Sequence, residues 1–104
     1  MAWIRLLSLE ECRPGRGTFV EAAGRKLAVF LHGAPPRPAV IDSTCPHAGG
    51  NLAGGTVEAG TVSCPWHQWT FDLTTGACTH NRLARVRTYP AEVRDAAVWA
   101  DLPG

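Results

Sequence analysis

The chain has 104 residues, of which 10 are basic and 9 acidic, and its formal net charge is +1. This length fits one domain, and so small a charge gives no general attraction to nucleic acid or to a membrane surface. No apolar run approaches the ~18 residues of a membrane span, and the N-terminus lacks the regions of a signal peptide. We therefore expect a single cytoplasmic domain, monomeric when free, in which disulfides are rare.

Short β-strands separated by glycine- and proline-rich turns are predicted along most of the chain. Glycine supplies the positive φ of tight turns, so Ala23-Gly24 is predicted to close a hairpin. Proline fixes φ and removes a donor, so residues 33–38 are predicted to be a surface loop. No segment has a useful 3.6-residue apolar period, and the pattern predicts an all-β fold, an antiparallel sandwich or barrel. The strand candidates are residues 3–9, 18–22, 27–31, 39–41, 61–63, 70–73, 86–89, 92–94 and 97–100.

Composition divides the chain into two parts. Bulky residues are almost absent between Ser43 and Thr61, where five glycines occur. We predict that residues 1–42 and 84–104 form a conventional β framework. Residues 43–83 are predicted to be a small loop-rich subdomain whose order depends on something bound, within a single domain spanning 1–104.

Two short segments each present one cysteine and one histidine, Cys45-Pro46-His47 and Cys64-Pro65-Trp66-His67. Two thiolates and two imidazoles suit tetrahedral zinc, although zinc sites usually pair Cys with Cys and His with His. The alternative is a [2Fe–2S] cluster of the Rieske kind, in which two His replace two Cys on one iron. Mixed pairs suit that cluster, because each loop then donates one ligand to each iron.

The sequence resembles Rieske-type ferredoxins in both motifs, in the Phe71-Asp72 and Thr75-Gly76 pairs after them, and in the closing residues 88–90 and 98–103. The resemblance implies an antiparallel β framework, a small cluster-binding subdomain and one [2Fe–2S] cluster. It also implies the ligands: Cys45 and Cys64 on the inner iron, and His47 and His67 on the outer iron. A structural zinc module is the alternative of another class.

The resemblance also predicts where the reduction potential lies. High-potential, quinol-oxidising relatives carry a loop-clamping disulfide, and the matching positions here are Gly50 and Trp66. They also carry a Ser and a Tyr that donate hydrogen bonds to the cluster sulfurs, and the matching positions are Trp69 and Phe71. Because this sequence lacks both the disulfide and these hydroxyl donors, we predict a reduction potential in the lower third of the Rieske range of roughly −150 to +300 mV.

Several residues outside the motifs also carry predictions. Cys12 and Cys78 are predicted to be reduced, partly buried thiols, and Trp69 is predicted to pack over the cluster. His32 is predicted to end a strand, and His80 to be a surface residue rather than a ligand.

Three arginines, Arg82, Arg85 and Arg87, follow a long stretch without any basic residue. They form either a basic docking surface for an acidic partner or a set of solvated positions. Glu58, which has few charges near it in sequence, is either an acidic residue at the edge of a docking surface or a solvated position.

The chain has only four histidines, and the double motif uses two of them. The two-His-one-carboxylate site that oxygenases add to a Rieske cluster therefore has no ligands to spare. We predict a non-catalytic one-electron carrier that takes electrons from a flavin reductase and passes them to a terminal oxygenase. The alternative is a small subunit that partners the large subunit of an NAD(P)H nitrite reductase.

Overall fold

The computed structural model describes residues 2–13, 15–33, 35–45, 50–65, 69–79 and 83–103. Short 3-10 turns form at Leu9–Glu11 and Leu52–Gly54. No helix in these ranges is long and apolar enough to cross a membrane. The strands are β1 (Ala2–Ser8), β2 (Thr18–Ala22), β3 (Arg25–His32), β4 (Arg37–Asp42), β5 (Thr56–Glu58), β6 (Thr61–Ser63), β7 (Thr70–Asp72), β8 (Thr88–Tyr89), β9 (Ala91–Arg94) and β10 (Ala97–Leu102).

The strands form three antiparallel sheets, which confirms the predicted fold class. Their orders are β1-β10-β9, β2-β3-β4-β8 and β5-β6-β7. The predicted hairpin at Ala23-Gly24 is confirmed: both residues have positive φ, of 52° and 73°, as a type I′ turn requires. In the third sheet, β5 and β6 lie between the two cysteine motifs in sequence, and β7 follows the second motif.

Two details differ from the sequence prediction. Pro38 was predicted to lie in a loop, but it lies in β4 and pairs with Leu31 of β3. The two-residue strand β8 reaches only Val40 and Ile41 of β4. At Pro38, the side of β4 that faces β8 therefore forms no strand pairing. A proline, which has no amide hydrogen to donate, is tolerated at such a position.

The strand β5 was also missed. It pairs with β6 through a two-residue turn at Ala59 and Gly60, whose φ values of 51° and 79° are again both positive. The glycine-rich composition on either side hid this strand, because only its pairing with β6 distinguishes it from a loop.

Buried apolar residues form two clusters. The framework core lies under the terminal strands and consists of Leu7, Leu27, Val29, Val40, Tyr89, Val98, Ala100 and Leu102. The second cluster contains both motif cysteines, and we call it the cysteine core. It consists of Ala28, Phe30, Ala39, Ile41, Cys45, Leu52, Ala53, Val62, Cys64, Phe71, Leu73, Cys78 and Val86.

Tyr89 connects the strand that leads to the first motif with β8. Its hydroxyl donates to Oδ1 of Asp42 at 2.6 Å and accepts from Nη1 of Arg25 at 3.2 Å. The guanidinium of Arg87 lies over the ring, 5.4 Å from its centroid. Burial, followed by the hydrogen bond to Asp42, raises the pKa of Tyr89. The protonated phenol is thus the form that the fold stabilises.

We expect Tyr89→Phe to destabilise the fold by about 1.5–3 kcal/mol at neutral pH, because a hydrogen bond to a carboxylate is lost. Because the pKa of Tyr89 is raised in the folded state, its contribution to stability decreases at alkaline pH. The contribution is complete below the unfolded tyrosine pKa of about 10 and is lost as the pH rises through the folded pKa. Urea unfolding between pH 7 and 11 should show an alkaline decline that the variant lacks. Tyr89 is the only tyrosine, so ultraviolet titration reads its pKa directly, and an unshifted value would contradict the hydrogen bond.

Candidate metal centre

The first motif begins at Cys45, three residues after the end of β4. The amide of Cys45 donates to the carbonyl of Gly50 at 2.8 Å. The preceding residue, Thr44, forms an antiparallel bridge with Asn51, the residue after the loop. The side chain of Asn51 also accepts from the hydroxyl of Ser43 at 3.1 Å. These contacts join residues 43–45 to Gly50 and Asn51.

The second motif opens at Cys64, directly after β6, and has the same construction. The amide of Cys64 donates to the carbonyl of Trp69 at 2.6 Å. The preceding residue, Ser63, pairs with Thr70, the first residue of β7. The two loops, 45–50 and 64–69, are therefore equally long and are closed in the same way. Each presents its cysteine at the same point, immediately after a paired residue.

Both motif thiols lie in the cysteine core, with exposed fractions of 1% for Cys45 and 0% for Cys64. All four cysteines carry thiols and none forms a disulfide. Two buried thiols from two neighbouring, similarly built loops are a donor set suited to zinc or to an iron–sulfur cluster. The residues present therefore fit the inner half of the predicted site.

The predicted histidine ligands, His47 and His67, lie outside the described residues, as do Trp66 and His80. Their roles stay predictions. In the described ranges, no three or more Cys, His, Asp or Glu side chains come together as a metal site. Although Cys78 belongs to the cysteine core, it therefore does not complete a three-ligand group with the two motif cysteines.

Among the residues outside the predicted ligand set, the structure agrees with the predictions for Cys12, Cys78 and His32. Cys12 is half-buried, and burial raises the pKa of its thiol, which therefore stays protonated. Cys78 is 6% exposed, and both cysteines are reduced, as predicted. Trp69 packs against the cysteine core, and Phe71 is fully buried inside it. That Trp69 covers the cluster stays a prediction. His32 ends β3, also as predicted.

A comparison with protein-family models decides the family. The model of the Rieske [2Fe–2S] domain matches residues 2–90. The chain belongs to this family. The Rieske domain thus has the cofactor of the family, a [2Fe–2S] cluster, which in Rieske centres is bound by two Cys and two His.

Sequence relatives of this Rieske domain are named as desaturases or as oxygenase components of monooxygenases. It is 41% identical over 71 residues to cholesterol 7-desaturase nvd 1 of Ciona intestinalis, covering 67% of this chain and 15% of the relative. It is 38% identical over 100 residues to the oxygenase component of 3-ketosteroid-9-alpha-monooxygenase of Mycobacterium tuberculosis, covering 86% and 25%. The chain therefore spans a quarter or less of the length of these two curated relatives.

Solved structures match the fold over whole chains. A ferredoxin of Sphingomonas yanoikuyae B1 has a TM-score of 0.85 at 27% identity, covering 98% of this chain and 100% of the ferredoxin. The ferredoxin of carbazole 1,9a-dioxygenase from Nocardioides aromaticivorans IC177 has a TM-score of 0.84 at 27% identity, covering 96% and 97%. A nitrite reductase small subunit of Mycobacterium tuberculosis has a TM-score of 0.86 at 23% identity, covering 95% and 93%, which bears on the fold alone.

Proposed function

We propose that this Rieske domain is a one-electron relay that receives electrons from a flavin reductase and passes them to a terminal oxygenase. The observation that carries the proposal is the full-length match, at 27% identity, to two ferredoxins, one of them named for a dioxygenase. The sequence relatives support an oxygenase context, since one is named as a desaturase and the other as the oxygenase component of a monooxygenase. The nitrite reductase match is to the fold only and does not favour that alternative.

The proposed ligands are Cys45 and Cys64 on the inner iron and His47 and His67 on the outer iron. When bound, the cluster supplies a centre that gains and loses one electron. The two cysteines hold it from inside the cysteine core, where surrounding apolar side chains exclude water. Because paired residues join the ends of both loops, the two thiols would be held in place when the cluster is bound. A fixed ligand frame favours rapid electron exchange over chemistry on a substrate.

We also propose that the catalytic step takes place elsewhere, because the double motif leaves only His32 and His80. Residues 43–83 act as the cluster-binding subdomain, since β5, β6, β7 and both loops lie within them. The flavin reductase and oxygenase partners, the cytoplasmic location and the monomeric state when free belong to the same proposal.

The test is a reductive titration of the protein after anaerobic reconstitution with iron and sulfide. We expect two irons and two acid-labile sulfides per chain, and reversible uptake of one electron, as for a Rieske cluster. The reductase and oxygenase of the carbazole 1,9a-dioxygenase system serve as donor and acceptor in a turnover assay. Bound zinc without labile sulfide would contradict the cofactor. A stable cluster that does not cycle between its oxidised and reduced states would contradict the relay.

A further inference from the structure

The segment that follows the second motif places three exposed residues on one face. Leu83, Arg85 and Arg87 are exposed, whereas Ala84 packs against the cysteine core and Val86 is buried inside it. This alternation is that of an extended chain, in which successive side chains point to opposite sides. Leu83 is 94% exposed, the highest value among the large apolar residues with exposed side chains in the described ranges. We call Leu83, Arg85 and Arg87 the outer stripe.

Backbone contacts hold the outer stripe against residues 76–78, next to the cysteine core. The carbonyl of Ala84 accepts from the amide of Cys78 at 3.1 Å, and the amide of Val86 donates to the carbonyl of Gly76 at 2.8 Å. At Gly76 a side chain would clash with the carbonyl of Val86, and φ is 78°. A glycine therefore allows the segment to lie this close. Through Val86, the stripe is the outer surface of the core that buries both motif thiols.

The arginines of the stripe present a net positive surface. One ion pair is formed among the described residues, and it joins Arg94 to Glu92. Arg85 instead donates to the carbonyl of Thr75 at 3.2 Å, and Arg87 lies over the ring of Tyr89. Neither guanidinium is neutralised by a carboxylate of the described chain.

The nearby carboxylates are engaged within the chain. Asp42, which lines the same surface cleft of about 570 Å³ as Arg85 and Arg87, accepts the hydroxyl of Tyr89. Asp72, at the end of β7, accepts the backbone amides of Thr74 and Thr75 at 2.7 and 3.0 Å. These hydrogen bonds leave both carboxylates charged, but in this cleft the two arginines outnumber Asp42, and the charge there is positive.

We propose that the outer stripe is the docking surface for an acidic redox partner, a protein whose facing surface has an apolar pocket for Leu83 ringed by aspartate and glutamate. This inference rests on the proposed relay function. Arginines steer an acidic protein over distances of about a Debye length, roughly 10 Å at 0.1 M salt. Leu83 then contributes short-range stabilisation, because its apolar surface is removed from water in the complex. Docking here brings the partner to the outer surface of the core that contains Cys45 and Cys64, the two proposed cysteine ligands.

The test uses two cytochromes of opposite charge as electron acceptors, because the natural partner is unidentified. The reduced protein is mixed with acidic ferric cytochrome b5 or with basic ferric cytochrome c in a stopped-flow instrument, at several ionic strengths. Electrostatic steering changes association rates by about 10- to 1,000-fold. We expect Arg85→Glu/Arg87→Glu to slow the reaction with cytochrome b5 at least 10-fold at low salt and to speed that with cytochrome c. Both differences should vanish at high salt.

The matched control is Arg5→Glu/Arg37→Glu, which makes the same change in charge away from the stripe. Arg5 lies in the separate sheet of β1, and Arg37 lies at the end of β4 remote from Cys45. We expect less than a 3-fold effect in this control. Leu83→Ser should slow the reaction with cytochrome b5 without changing its salt dependence.

Equal slowing in the two double variants would overturn the proposal, because net charge rather than the stripe would then govern the rate. Arg85→Gln/Arg87→Gln gives a second measurement should the glutamate variant fail to fold. An unchanged rate in the glutamine variant would also overturn the proposal that the outer stripe is a docking surface. The visible spectrum and midpoint potential of each variant show whether the cluster is intact. A wild-type protein with a reduced cluster that passes electrons to neither cytochrome would instead count against the relay.

Discussion

Cys64→Ala is expected to yield a protein without acid-labile sulfide after reconstitution, and Cys45→Ala to do the same. Cys78→Ala and Cys12→Ala are expected to retain two irons and two sulfides, as a Rieske cluster contains. Cys78 is a demanding control, because it is buried in the same core as the two proposed ligands. Total iron and sulfide analysis with a visible spectrum measures the outcome.

The physical reason is the position of each thiol rather than its burial. Cys45 and Cys64 open two loops of equal length, each closed by a hydrogen bond from the cysteine amide. Cys78 lies in neither loop: it bridges Phe71, and its amide donates to the carbonyl of Ala84. Cluster loss in Cys78→Ala with full folding would show that the ligand set has been misassigned. Zinc retained by all four variants would contradict the cofactor.

The midpoint potential is expected to fall in the lower third of the Rieske range of roughly −150 to +300 mV. Two positions carry this expectation. Trp69 packs against the cysteine core and Phe71 is fully buried within it, and neither side chain has a hydroxyl to donate to a cluster sulfur. Fewer donors leave the added negative charge of the reduced state less stabilised. Protein-film voltammetry measures the value, and a midpoint above about +100 mV would contradict the expectation.

Phe71→Tyr is expected to raise the midpoint by about 20–60 mV. This shift corresponds to a hydrogen bond about 0.5–1.5 kcal/mol stronger in the reduced state, at about 59 mV per tenfold change for one electron. Phe30→Tyr is the matched control, since Phe30 is equally buried in the same core, and we expect no shift there. A variant that keeps its potential but loses about 1–3 kcal/mol of stability would show the new hydroxyl to be buried without a partner.

The sequence by itself determined the chemistry and most of the strands. Two Cys/His segments in mixed pairs favoured an iron–sulfur cluster over zinc, and the match to the Rieske family agrees with that choice. Local sequence patterns were sufficient to predict features that depend on only a few neighbouring residues. The positive φ required at Ala23-Gly24 is a property of the turn alone, and the hairpin there was predicted from those two residues.

Only the tertiary structure decided features that depend on residues distant in sequence. Pro38 is compatible with β4 because β8, which pairs with this strand, ends before reaching it. The bond from Tyr89 to Asp42 joins residues 47 positions apart. The outer stripe is defined by which residues of 83–87 face the cysteine core, and this depends on how the segment packs against Gly76. Local propensity cannot specify such contacts, because they form only when separate strands come together.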